Sequence, residues 1–107
     1  MQIVRTRPYL RDLKRMGVAE AEQEALEQAI ATNPDAGAVI PGLGGIRKLR
    51  FGFGGRGKRG GGRAIYFAMI ADDVAVMIFA YAKSEREDIT PAQRKEALAV
   101  LKEFTDG

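Results

Sequence analysis

The spacing of apolar positions changes several times along this 107-residue chain, and each change predicts an element. Ile3 and Val4 are β-branched and make residues 1–5 a short strand. Thr6 is placed to cap a helix entered through Arg7 and Pro8, since proline is tolerated in a first helical turn. Leu10, Leu13 and Met16 form its apolar stripe, with Arg7, Arg11, Lys14 and Arg15 on a solvated face. Gly17 breaks this helix. Residues 19–32 predict a second, because Val18, Ala21, Ala25, Leu26, Ala29 and Ile30 recur at helical spacing. Glu20, Glu22, Glu24 and Glu27 read as its solvated outer face. So short a break suggests an antiparallel helical hairpin.

Asn33 and Pro34 end the second helix. Residues 35–45 read as a loop with Val39, Ile40 and Leu43 tucked beneath the sheet. The period then falls to two. In residues 46–51, Arg47, Leu49 and Phe51 point one way, and Ile46, Lys48 and Arg50 the other. Residues 52–62 form a long glycine-rich connection. Residues 63–70 are a second strand and 74–82 a third, apolar on both faces and therefore covered on both. The three strands form an antiparallel meander. Residues 83–88 are a polar loop. Thr90, Pro91 and Gln93 fit a capping box opening a last helix, whose stripe is Ala97, Leu98, Leu101 and Phe104. The expectation is one α+β domain over residues 1–107: two N-terminal helices on a small antiparallel sheet (an N-terminal strand plus the meander), and a C-terminal helix.

Composition narrows the chemistry. Apolar residues make up 46%, enough for one core. Cys and His are both absent, which removes disulfides, thiolate nucleophiles and His-dependent triads and argues against a zinc site. No apolar run approaches a membrane span and nothing resembles a signal peptide, so the expected location is the cytoplasm. The chain has 17 basic and 14 acidic residues, net +3. Seven cations (Arg47, Lys48, Arg50, Arg56, Lys58, Arg59 and Arg63) fall within residues 47–63, a stretch with no acid. Setting them aside leaves ten basic residues against fourteen acidic, a balance of −4. A basic island in an acidic chain marks a surface for a polyanion.

Two nucleotide motifs in this stretch mislead. Residues 52–57 match GxGxxG, and 52–58 match a phosphate loop until Arg59 replaces the final hydroxyl residue. Both motifs need a helix directly afterwards, and here a strand follows. One RGG element, Arg59 to Gly61, is weak support for loose RNA binding. Lys48, Arg50 and Arg63 lie on or beside neighbouring strands, with Arg47, Arg56, Lys58 and Arg59 around them and Tyr66 and Tyr81 near. Cations with accessible aromatics suit single-stranded nucleic acid, where phosphates meet charge and bases stack on rings.

The blocks PGLGGIRKLRF, GKRGGGRAIYF, YAKSERED and TPAQRK, in this order across residues 34–100, resemble the RelE/ParE superfamily of bacterial type II toxins, most closely its HigB-like branch. The resemblance implies a RelE-like fold, ribosome-dependent endonucleolytic cleavage of mRNA without a cofactor, and a cognate antitoxin. It implies attack by the RNA's own 2′-hydroxyl on the adjacent phosphate, with the protein aligning the attack and stabilising charge. Carried onto this chain, Arg50 and Arg63 stabilise charge, Lys48 acts as base or electrostatic aid, and Lys83 is the first choice of proton donor, with Tyr81 second. Glu87 could serve as base, but a solvated or salt-bridged loop acid is the favoured reading of it. This sequence departs from RelE where Lys83 and Ser84 replace an arginine, and where a base-stacking tyrosine falls near Thr90. Two other readings are a ParE-like inhibitor of DNA gyrase and a non-catalytic RNA-binding module.

Overall fold

The computed structural model describes residues 1–105. The elements are β1 (Gln2–Arg5), α1 (Arg7–Met16), α2 (Glu20–Thr32), β2 (Ala38–Val39), β3 (Arg47–Phe51), β4 (Gly62–Met69), β5 (Val74–Ala82) and α3 (Pro91–Thr105). They build an α+β fold around a five-stranded sheet ordered β1-β5-β4-β3-β2. β3, β4 and β5 form the expected antiparallel meander. Two features correct the expected sheet. β1 runs parallel to β5, with Gln2 opposite Val74, so the sheet is mixed. Ala38 and Val39, expected in a loop, pair with Lys48 and Arg47 as a fifth strand. A hairpin dictates an antiparallel sense, but strands separated by two helices carry no such constraint, and a two-residue strand shows no periodicity.

The sheet has a core on each face. Tyr9, Leu13, Leu26, Ile30, Phe51, Tyr66 and Met77 pack between the sheet and the first two helices. Ile40, Leu43, Ile46, Ile65, Phe67, Ile78 and Ala97 pack on the other face, beneath α3 and the segment leading into β3. Thr90 and Gln93 exchange the expected capping bonds, at 3.1 and 2.9 Å. The stripe of α3 is narrower than expected. Ala97 is buried, whereas Leu98 is exposed and Phe104 rests at the margin, edge-on to Phe67.

Polar side chains of α1 finish the sheet. β1 stops opposite Met77, while β5 continues to Ala82. The far edge of β5 therefore loses its strand partner. The Thr6 hydroxyl donates to the Met77 carbonyl at 2.8 Å, and the Asp12 carboxylate accepts from the Ala80 amide at 3.2 Å. An unpaired buried amide is costly, so these bonds determine how α1 turns. Tyr9, Asp12 and Leu13 face inward, and Leu10, expected in the stripe, is 44% exposed.

Glu27 also departs from expectation. It is 6% exposed and points inward from α2. Arg5 donates to it at 2.6 Å, Tyr9 at 2.7 Å and Gln23 at 3.0 Å. Burial alone would raise its pKa, but the three donors outweigh that and hold it below the ordinary glutamate value.

Candidate active site

Cross-strand pairing brings the central charges together. Lys48 lies opposite Ile65, and Arg50 opposite Arg63, which in turn faces Tyr81. Paired residues share a sheet face, so Lys48, Arg50, Arg63 and Tyr81 stand on the α3 side.

Tyr81 reaches this face through an irregularity. The β4–β5 register slips between Ile65, opposite Phe79, and Tyr66, opposite Met77, so Ile78 is an extra residue in β5. Val76, Ile78, Phe79 and Tyr81 consequently all belong to the core beneath α3. Strict alternation from Val76 would have turned Tyr81 to the other side. The bulge resets the phase and aims the ring at the cations.

The four residues differ in how free they are. Arg50 is exposed at the cleft wall. Lys48 is half-buried, with its ammonium 3.9 Å from Asp88. Arg63 is only 6% exposed, and its guanidinium donates to the carbonyls of Lys58, Arg59 and Gly62 at 3.0–3.2 Å. It fastens the glycine-rich connection from beneath, where it was expected to meet substrate. Tyr81 is fully buried, and its hydroxyl has no partner among the described residues. Burial and the nearby Asp88 push its pKa up to about 12, against the opposing pull of Arg63 and Arg86.

Arg86 is the site residue that residue-by-residue reasoning missed. Its guanidinium carbon lies 5.7 Å from the centre of the Tyr81 ring, a cation–π placement. Its turn is tied down on several sides. The Lys83 amide donates to Gly61, and the Glu85 carboxylate accepts from the Ala82 amide at 2.8 Å. Arg15 of α1 bridges Asp12 and Glu85. Arg15, expected on a solvated face, thus holds the turn that carries Arg86. Asp88, rather than Glu87, is the acid beside the cations. The only advance signal was the run of charges in residues 83–88.

Lys58 and Arg59 line the basic cleft with Lys48 and Arg50. Arg47, Arg56 and Tyr66 lie elsewhere. Arg47 points to the helical face, paired with Asp35 at 3.1 Å and donating to the Gly37 carbonyl at 2.8 Å. Arg56 reaches Ser84 at 3.4 Å and, with Arg15, lines a separate hollow. Tyr66 is fully buried on the helical face, where its hydroxyl donates to Pro34 at 2.7 Å and accepts from Gly37 at 3.0 Å. Its expected stacking role is corrected to a structural one. Lys83 is exposed just past β5, and among the described residues no hydrogen bond or ion pair holds its ammonium.

The model of the RelE toxin of the RelE/RelB toxin–antitoxin system matches residues 1–106. The chain belongs to the RelE toxin family. Among solved structures, an arginine-to-alanine double mutant of the E. coli toxin RelE in the free state is similar in fold. It has 16% identity and a TM-score of 0.56 over 92% of this chain and 94% of that one. The isolated E. coli RelE toxin gives 12% identity and a TM-score of 0.54 over 92% and 97%. Membership makes this a type II toxin, whose counterpart is an antitoxin. No helix among its described residues is long and apolar enough to cross a membrane.

Proposed function

We propose that this RelE-family toxin, of the HigB-like branch, is an endoribonuclease that cleaves mRNA on the ribosome and so stops translation in the cytoplasm. The observation that carries the reading is the gathering of Lys48, Arg50, Arg63, Tyr81 and Arg86 on one sheet face, beside a basic cleft. The 2′-hydroxyl of the substrate attacks the adjacent phosphorus and the bond to the 5′-oxygen breaks, leaving a cyclic phosphate. Negative charge grows on the phosphoryl oxygens as it does so. Arg50 and Lys48 meet that charge, and Arg86 adds to it. Asp88, held beside Lys48, takes the hydroxyl proton. Tyr81 keeps its own proton at neutral pH and supplies it to the leaving oxygen once Arg86 moves off its ring. Lys83 is the alternative donor.

Induced expression followed by mapping of cellular mRNA ends tests this. The expected result is prompt cleavage inside translated frames, suppressed by the co-expressed antitoxin and lost in Arg50→Ala. Arg50 is a better probe than Arg63, whose loss also frees the glycine-rich connection. Intact mRNA with altered DNA topology would instead indicate gyrase inhibition.

A further inference from the structure

The basic cleft continues into a second cavity that the proposed chemistry does not use. The cleft, of about 450 Å³, is lined by Ala36, Lys48, Leu49, Arg50, Lys58 and Arg59. The adjoining cavity, of about 440 Å³, shares Ala36, Leu49, Arg50 and Lys58 and adds Ala25, Leu26, Ala29 and Phe51. Its volume is within the range of small-molecule sites. Ala25 and Ala29, one helical turn apart and both exposed, leave a slot between α2 and β3. At the slot's end Glu22 of α2 accepts from the Gly54 amide at 2.7 Å and pins the glycine-rich connection in place.

The slot has main-chain polarity on one side. A side chain at Gly37 would collide with the Lys48 carbonyl, so the peptide groups of Lys48 face the β2 edge. With a period of two, those of Arg50 face the same way. β2 pairs only with Arg47 and Lys48, so no strand covers Arg50. An apolar slot, one peptide donor and acceptor, and flanking cations fit a planar base attached to a phosphate. They suit an extended peptide poorly, because a single residue's edge groups are on offer.

We propose that this cavity is a nucleobase pocket that takes a base flanking the scissile phosphate and so contributes to cleavage preference. The inference rests on the endoribonuclease reading. The base lies between the alanines of α2 and Leu49, its polar edge meets the Arg50 peptide, and its phosphate sits among Arg50, Lys58 and Arg59.

Titration of the whole toxin with each ribonucleoside 3′-monophosphate, followed by methyl and amide NMR, tests the pocket, with inorganic phosphate as the control. At concentrations where phosphate moves the Arg50 and Lys58 amides, at least one nucleotide should also move the Ala25, Ala29 and Leu49 methyls, and phosphate alone should not. Ala29→Leu, a filling substitution at an exposed site, should weaken that nucleotide by roughly tenfold, the order of one lost stacking contact, and leave the phosphate response intact. In mapped mRNA ends it should redistribute cleavage sites without abolishing cleavage. Methyls that respond to no nucleotide, or to phosphate equally, overturn the proposal even if mRNA is cleaved. Methyls that respond only to the antitoxin overturn it in favour of a protein-docking surface. A base-dependent response with uncleaved mRNA sustains the pocket and refutes the nuclease reading.

Discussion

Tyr81 is the residue whose surroundings say most. A buried hydroxyl without a partner carries a desolvation penalty, so Tyr81→Phe should raise stability by about 1 kcal/mol in chemical denaturation. If the hydroxyl donates a proton, the same variant should cleave about 10²-fold more slowly in a reconstituted translation assay. A purely structural tyrosine would not separate the two readouts in opposite directions. Asp88 makes a companion prediction. Asp88→Asn keeps the shape beside Lys48 but removes the carboxylate, and should slow cleavage by about 10²-fold, whereas Glu87→Gln should leave it unchanged.

At the level of elements, α2 was expected to turn all its acids to water, and Glu27 contradicts that. Removing it strands the Tyr9 hydroxyl and the Arg5 guanidinium, so Glu27→Ala should cost about 3 kcal/mol. Because the folded pKa is depressed, this contribution is fully present above the unfolded value of about 4.3. It disappears as pH falls through the lower folded value. The stability gap between wild type and variant, followed by denaturant melts, should therefore narrow in acid. Helical periodicity located α2 correctly, but nothing local distinguishes Glu27 from Glu24. Its partners are Arg5 and Tyr9, in two other elements. The strands teach the same lesson. Alternation correctly put Lys48 and Arg50 together, because β3 is regular. It could not fix where Tyr81 would point, since the Ile78 bulge is visible only once β4 and β5 are paired. Arg63 was legible as a neighbour of Arg50, but its bonds to three loop carbonyls were not. Glycine-rich connections give no periodicity from which to place a carbonyl.

Over the whole molecule, the charge distribution pointed to a surface for a polyanion before any contact was known. Seven cations cluster in residues 47–63, but the fold spends some of them. Arg47 and Arg63 hold backbone, and Lys48, Arg50, Lys58 and Arg59 line the cleft. Binding to a short single-stranded RNA should show this division. Lys58→Ala with Arg59→Ala should flatten the dependence of log affinity on log salt by about 1.4, at about 0.7 per lost phosphate contact, whereas Arg47→Ala should leave the slope unchanged.

The parallel docking of β1 against β5 also sets an order of events during synthesis. β1 is made well before its partner, which begins at Val74, and α1 borrows amides and carbonyls as late as Ala80. Nascent chains that stop short of Val74 should therefore stay open to protease, and full resistance should arrive only once α3 has emerged to cover the second core. Pulse digestion of a truncation series would show the step. Contacts this distant in sequence also slow maturation. A chain that stops short of β5 also lacks Tyr81 and Arg86, so the grouping beside Lys48 and Arg50 exists only after the last strand of the sheet is in place.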